Sequence, residues 1–341
     1  MSNLERDCVH VVCSSDENYV LPLAVMLTSL VANLKKYEKA RIFVLEANIS
    51  PNSKERILKS VKRDGVDIQF VKLDISTLRT MKVDGHISLA AYHRLLVELA
   101  LPRDLDKVIY LDCDLVVHGD VGGLWDVPIG DKAVLAAQEQ GEDAAYVSSS
   151  SGLSNYRELG LRGNQKYFNS GVLVINLALW REEQIGMAAI RYAEQNKQHI
   201  RCWDQDALNA TLANRWGELD PRWNLLTQVF SNSPWNAGPI KDRTTFENLI
   251  NHPHIVHFNT SSKPWLVDIA HPYKNLFFHY LDQTDWIGWR PKREFRHWAK
   301  KLVKKVMKFG SSRNRAGDFE PRWPPQTPPP GAGSHRGTHL D

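Results

Sequence analysis

Along the first 112 residues, unbroken apolar runs alternate with runs whose apolar positions recur at helical spacing. "HVVCSS" (10–15) is short and apolar, as a buried strand is. "NYVLPLAVMLTSLVANL" (18–34) repeats its apolar residues at helical intervals and runs into Lys35 and Lys36, where cations suit the helix dipole. "RIFVLEA" (41–47) predicts a second strand. "SPNSKERILKSVKR" (50–63) predicts a surface helix with Ser50 as N-cap and Pro51 in the first position. "DIQFVKL" (67–73) predicts a third strand, "SLAAYHRLLVELAL" (88–101) an amphipathic helix and "KVIYLD" (107–112) a fourth strand. This alternation predicts an α/β fold, with a mostly parallel sheet flanked by helices. Ligands of such sheets bind beyond the carboxyl ends of the strands. Asp16, Asp112 and Asp114 all fall at such ends, so two acidic strand ends can face one crevice.

Beyond about residue 130 the pattern loosens. "YFNSGVLVINLALW" (167–180) reads as a buried strand leading into a helix, and 216–265, rich in Trp, Asn and Pro, as long ordered loops. From 311 to 341 a Pro- and Gly-rich tail predicts disorder. The 341 residues, 43% hydrophobic and 24% charged, fit a soluble globular protein with a sizeable core. No apolar run is long enough to span a membrane, and "MSNLERDCVH" lacks a signal-peptide layout, so the expectation is a cytoplasmic protein. Cys8, Cys13, Cys113 and Cys202 form no CxxC pair, and Cys13 and Cys113 read as small buried apolar residues. The net charge of +4 divides unevenly. Nine Lys/Arg and one Glu between Arg290 and Lys308 give +8, leaving −4 for the remainder. This excludes a uniformly basic nucleic-acid binder.

The candidate chemistry lies in "YLDCDLVV" (110–117). Four apolar residues lead into Asp112, so its carboxylate needs a partner. Strand alternation would put Asp112 and Asp114 on one face, where two carboxylates suit a hard divalent cation such as Mg²⁺ or Mn²⁺. An EF-hand would need Asp or Asn at 116 and Gly at 117; both are Val. Asp112, Asp114 and Val116 also fit the D-x-D-x-Thr/Val of a haloacid-dehalogenase-type phosphatase, with Asp112 as nucleophile, but that motif normally follows the first strand of its fold. A nucleotide-sugar transferase would use the pair to hold a metal on the donor diphosphate. A non-catalytic nucleotide-sugar-binding protein is a third alternative.

Other segments favour the transferase. "YLDCDLVVHGDVGGLWD" (110–126) resembles family 8 of the retaining glycosyltransferases, which includes bacterial lipopolysaccharide galactosyl- and glucosyltransferases and glycogenin. "SSDENY" (14–19), "HISLAAYHRL" (86–95), "YFNSGVLVINLALWR" (167–181), "WDQDALN" (203–209) and "HFNTSSKPW" (257–265) resemble further motifs of that family, in order, over roughly residues 9–280. The resemblance implies a Rossmann-like GT-A fold, a UDP-sugar donor, Mn²⁺ (or Mg²⁺) and transfer of a hexose, galactose or glucose, to a glycan or glycolipid in cell-surface polysaccharide assembly. It implies Asp112, Asp114 and His257 as metal ligands, and Asp16 and Asn18 as readers of the uracil edge. Arg94 and Lys263 would be donor and diphosphate cations, beside Asp112. Asn169, Glu139, Asp204 and Gln205 would surround the donor sugar and acceptor, with Asp206 a further candidate that could instead be structural. An amide at 205 is a poor nucleophile, which favours same-face attack over a covalent intermediate. Two departures stand out: Thr260 where the family often has Gly, and Glu139 where it often has Asp.

"FRHWAKKLVKKVMKF" (295–309) places Phe295, Trp298, Leu302, Val303 and Val306 on one stripe with basic residues around it. Such a basic amphipathic helix suits an anionic membrane surface. The expected organisation is therefore a catalytic domain over 8–285, a membrane-surface segment over 286–310 and the tail, with the chain peripheral on the inner face of the plasma membrane. No stacking platform accompanies the charge, so nucleic acid is not an expected partner.

Overall fold

The computed structural model describes residues 8–78, 81, 89–230, 239–266 and 269–291. The elements run β1 (Cys8–Asp16), α1 (Val20–Asn33), β2 (Lys39–Ala47), α2 (Pro51–Ser60), β3 (Val66–Lys72), α3 (Val97–Ala100), β4 (Lys107–Leu111), β5 (Leu115–Val117), α4 (Val121–Trp125) and β6 (Val134–Gln138). They continue with β7 (Phe168–Asn176), α5 (Leu177–Glu182), α6 (Ile185–Gln195), α7 (Trp203–Thr211), β8 (Trp216–Glu218), β9 (Leu225–Leu226), α8 (Arg243–Asn251), β10 (Ile255–His257) and α9 (Lys274–Leu281).

Seven strands form the main sheet in the order β3-β2-β1-β4-β7-β6-β8. β1 pairs in parallel with β2 and β4, β2 with β3, and β6 with β8; β7 runs antiparallel to β4 and β6. The fold is thus the expected α/β architecture, a mostly parallel sheet flanked by helices. The chain winds outward from β1 to β3, then returns to lay β4 on the other side of β1. That reversal is a topological switch point, and it sets the ends of β1 and β4 side by side.

Alternation along the central strands divides the core. Val11 and Cys13 of β1, Ile109 and Leu111 of β4, and Val172 and Val174 of β7 pack on one face with α1 and α9. Val12, Val108, Tyr110, Leu173 and Ile175 pack on the other, against residues of α5, α6 and α7. Each fully buried Val or Leu contributes about 1.5–3 kcal/mol. α1 is buried without a break from Leu21 to Val31, because the sheet, β5, α2 and α9 surround it. Its last carbonyls, of Val31 and Leu34, accept bonds from the Arg63 guanidinium at 2.7 and 2.6 Å.

A second, three-stranded sheet, β5-β10-β9, grips the other end of the acidic turn. β10 is antiparallel to β5, with His257 opposite Leu115. Ser29 of α1 accepts the Val117 N–H at 2.9 Å, which ties this small sheet to the body.

Three expectations shift. The helix foreseen over 88–101 is, from Leu89 to Leu96, a 3-10 helix, with only Val97–Ala100 α-helical. Both helix types bring residues i and i+3 onto one face, so apolar spacing alone does not separate them. α2 stops at Ser60, which frees Arg63 to cap α1. The loop-like 216–265 region contains β8, β9, α8 and β10. The basic segment and tail lie outside the described residues from 292 onward. No helix among the described residues is long and apolar enough to cross a membrane.

Candidate active site

β4 ends at Leu111, and Asp112-Cys113-Asp114 form the turn into β5. The two carboxylates therefore share a direction through this turn, not through strand alternation. The Asp112 N–H donates to the Gly171 carbonyl of β7 at 2.9 Å, and the Asp114 carbonyl accepts the Phe258 N–H at 2.9 Å. The acidic turn is thus pinned between β7 and β10. Cys113 points away, buried, with its thiol donating to the Ser14 carbonyl at 2.9 Å.

This pinning brings His257 of β10 to the carboxylates. Its Nε2 lies 3.1 Å from Asp114 Oδ1 and 3.9 Å from Asp112 Oδ2. One ligand atom each from Asp112, Asp114 and His257 fall within 4.8 Å of one another. Two hard oxygens with one imidazole nitrogen suit Mn²⁺ or Mg²⁺. Gly171 permits the approach: a Cβ there would press into the His257 ring and lie 2.8 Å from Asp112 Oδ2. The residues therefore fit the implied cation. Lys263, also buried, donates to Asp114 and to the Phe258 carbonyl. Burial of Asp114 works against its charge, but the Lys263 ammonium and His257 overcome this and hold its carboxyl well below the usual range.

Arg94 joins this acidic end to the next group. Its guanidinium lies 2.7 Å from Asp112 and 2.9 Å from Asp204, donates to the Ser170 carbonyl and stacks over Tyr110. Burial opposes its charge, yet the two carboxylates raise its pKa further. For Asp204, burial and the nearby Asp112 outweigh Arg94, and its pKa is pushed up to about 6. Glu139, also buried, is raised by desolvation. It accepts from the Asn169 amide at 2.9 Å, and the Gln205 amide nitrogen lies 3.5 Å from the same oxygen. The Gln205 carbonyl accepts the Ser170 N–H at 3.0 Å.

α7 presents Asp204 and Gln205 from an unusual start. Trp203, its first residue, has φ +46°, a left-handed conformation costly for a residue with a Cβ. Asp206 holds the turn. Its carboxylate accepts the N–H groups of Arg201 and Cys202, both at 2.7 Å, and the Tyr167 hydroxyl at 2.7 Å. Of the two readings the sequence left open for Asp206, the structural one has the contacts.

Asp16, Arg94, Asp112, Asp114, Glu139, Asn169, Asp204, Gln205, His257 and Lys263 all line one cleft of about 350 Å³ at the switch point. Asp16 also accepts the Asn18 N–H at 2.9 Å, capping the 3-10 turn Glu17–Tyr19. Asn18 is exposed and does not line the cleft.

Comparison with known proteins matches the sequence profile described as glycosyl transferase family 8 to residues 10–268. The chain belongs to glycosyltransferase family 8. General stress protein A of Bacillus subtilis (strain 168) is 30% identical over 82% of this chain and 95% of that protein. A lipopolysaccharide 1,3-galactosyltransferase of Salmonella typhimurium is 25% identical over 83% of this chain and 80% of its own length. A lipopolysaccharide 1,2-glucosyltransferase of Escherichia coli (strain K12) is 24% identical, covering 82% and 79%. The crystal structure of the galactosyltransferase LgtC in complex with donor and acceptor sugar analogs superposes with a TM-score of 0.68 at 25% identity, covering 86% of this chain and all of that one. Family 8 membership settles the choice of chemistry between transferase and phosphatase. Asp112, which the phosphatase reading needs as nucleophile, is held by Arg94 and the Tyr110 hydroxyl.

The sequence did not single out several cleft residues. Tyr19 and Ser170 line the wall, and Trp203 stands at the strained turn. Asn224, fully buried behind His257, lies in the stretch read as loop. Family 8 motifs touch most of these positions, but motif matching weights identity and does not reveal which neighbour a side chain holds.

Proposed function

We propose that the chain is a retaining hexosyltransferase. It would move galactose or glucose from a UDP-sugar to a glycan or glycolipid acceptor, with Mn²⁺ (or Mg²⁺), in cell-surface polysaccharide or lipopolysaccharide assembly. One observation carries this reading. The Asp112/Asp114/His257 group and the Asn169/Glu139/Asp204/Gln205 group face one cleft at the switch point, joined by Arg94. The lipopolysaccharide glucosyl- and galactosyltransferases among the relatives support the hexose.

In this reading Asp112, Asp114 and the Nε2 of His257 would hold the cation, which would supply the positive charge that a departing nucleoside diphosphate needs. Lys263, lining the same end, adds a second positive charge. Asp16 and Asn18 would read the uracil, Asp16 from the cleft wall. Arg94 pairs with both Asp112 and Asp204, which ties the two halves of the cleft together. Glu139, Asn169 and Gln205 orient the sugar through hydrogen bonds. Gln205 offers a carbonyl already engaged by the Ser170 N–H, a weak nucleophile, so attack by the acceptor on the face that UDP leaves accounts for retention. Trapping a glycosyl adduct on Gln205 or a neighbouring acid would overturn that step.

Residues 8–285 form the catalytic domain in this proposal. The basic segment over 286–310 attaches it to an anionic membrane surface, on the cytoplasmic face. The deciding experiment offers a panel of UDP-sugars with Mn²⁺ and follows UDP release with and without saccharide acceptors. One UDP-hexose should be turned over, and Asp114→Ala should abolish the reaction. Unchanged turnover in that variant removes the metal role assigned to Asp114.

A further inference from the structure

A line of buried amides runs behind the acidic turn, and its polarity can be read without assuming any proton position. The Gly171 backbone N–H, which can only donate, lies 2.9 Å from the Asn169 side-chain atom labelled Oδ1. That atom is therefore the carbonyl oxygen. The Asn224 side-chain atom 2.9 Å from the same oxygen must then be its NH₂. The other end of the Asn224 amide, its carbonyl oxygen, faces His257 Nδ1 at 2.9 Å. Two acceptors do not face each other at that distance, so Nδ1 carries hydrogen. Nε2 is the ring atom left toward Asp112 and Asp114, where a hydrogen would donate to Asp114 Oδ1 at 3.1 Å until a cation took its place. At the far end, the Asn169 NH₂ meets Glu139 at 2.9 Å.

Asn224 itself has no freedom. It is fully buried, and its backbone carbonyl accepts from the Gln140 amide at 2.8 Å, while the Gln140 carbonyl accepts the Leu226 N–H at 2.9 Å. The amide cannot flip without setting NH₂ against the ring and oxygen against oxygen.

We infer that Asn224 is a positioning residue that sets the tautomer and orientation of His257 for cation binding and, through Asn169, aligns that site with Glu139 on the sugar side. The inference rests on the cation site proposed above. Partners of this kind behind a ligand histidine are worth 10–100-fold in metal affinity.

The test uses the full chain and three variants, Asn224→Leu, Asn224→Asp and Asp114→Ala. Binding of Mn²⁺ alone is followed by electron paramagnetic resonance, and the His257 ring is followed by ¹⁵N NMR in metal-free protein. Wild type should show His257 with hydrogen on Nδ1. Asn224→Leu should lose that signature and bind Mn²⁺ 10–100-fold more weakly. Asn224→Asp keeps the volume and still accepts from Nδ1, so it should rescue the signature and the Mn²⁺ affinity. It sets oxygen against Asn169, however, so kcat should fall while Mn²⁺ affinity holds. A merely structural Asn224 would not separate these readouts. If Asp114→Ala abolishes Mn²⁺ binding while Asn224→Leu leaves affinity and ring signature unchanged, the positioning role is overturned and the cation site stands. If Asp114→Ala leaves Mn²⁺ binding unchanged, the cation site fails, and the positioning role with it.

Discussion

Gly171 shows how one residue can decide whether three others meet. Its carbonyl holds Asp112, its N–H fixes Asn169, and the space where a Cβ would stand is taken by the His257 ring and Asp112. Gly171→Ala must push these two apart. We expect Mn²⁺ affinity to fall at least ~10-fold, with a stability loss of about 1–3 kcal/mol from overpacking in a buried site. Titrating Mn²⁺ into the folded variant checks this, and unchanged affinity would show that the cradle is looser than drawn. Residue-scale legibility in the sequence is uneven for a physical reason. Asp112 and Asp114 stood out because a charge following four apolar residues is costly without a partner. Asn224 did not, because a neutral amide in an irregular stretch carries no such signal, although it is as buried as the residues it serves. Gly171 was visible within "FNSGV", but nothing in the sequence says what fills the space beside it.

At the scale of elements, α7 matters for how it begins. Its first residue is strained, and Asp206, buried inside the turn, replaces a conventional cap by accepting two backbone N–H groups and the Tyr167 hydroxyl. Asp206→Ala leaves all three donors unpaired. It should cost roughly 3–5 kcal/mol in urea unfolding and lower turnover by displacing Asp204 and Gln205. Asp206→Asn, which keeps an acceptor, should cost less, and equal losses in the two variants would contradict the capping role. The loop before α9 makes a second case. His271 lies among Phe230, Phe258 and Tyr273, and burial pushes its pKa down to about 4. An unfolded chain takes up a proton on this ring below its ordinary value near 6.5, while the folded chain does so only below about 4. The stability is thus fully present above about 6.5 and is lost as pH falls toward 4, by about 2 kcal/mol at pH 5. In urea melts at pH 7 and pH 5, His271→Gln should lose less stability between the two than wild type. An identical loss would assign the acid sensitivity elsewhere. Strand and helix order was legible because apolar periodicity reports burial directly. The small sheet was not, since strands of two and three residues are shorter than any period can show.

Across the whole molecule, charge is separated along the chain, +8 between Arg290 and Lys308 against −4 elsewhere. The contacts made by 286–290 show where a cut would spare the folded body. Arg290 pairs with Asp282 at 2.6 Å, and Arg56 stacks 3.9 Å from the Trp286 ring, so the chain up to Arg290 is tied to the folded body. The other eight of the nine cations follow Pro291. A truncation after Pro291 therefore removes eight of the nine cations and spares the body, whereas one at Gly288 would break the Arg290–Asp282 pair. Near an anionic surface each Lys or Arg is worth about 1 kcal/mol, and salt weakens the attraction. We expect the full chain to pellet with vesicles containing phosphatidylglycerol, to release at high salt and to ignore vesicles of phosphatidylcholine alone. The truncated chain should stay in the supernatant, with its UDP-sugar hydrolysis unchanged because the cleft residues all precede the cut. Glycosyl transfer to a lipid-borne acceptor should fall with vesicle binding, while transfer to a soluble saccharide should not. If both forms pellet equally, attachment resides in the body and the basic segment has no part in it. If the truncated chain loses transfer to lipid-borne and soluble acceptors alike, the segment serves the acceptor site itself, and the division into a catalytic body and a membrane-surface segment fails.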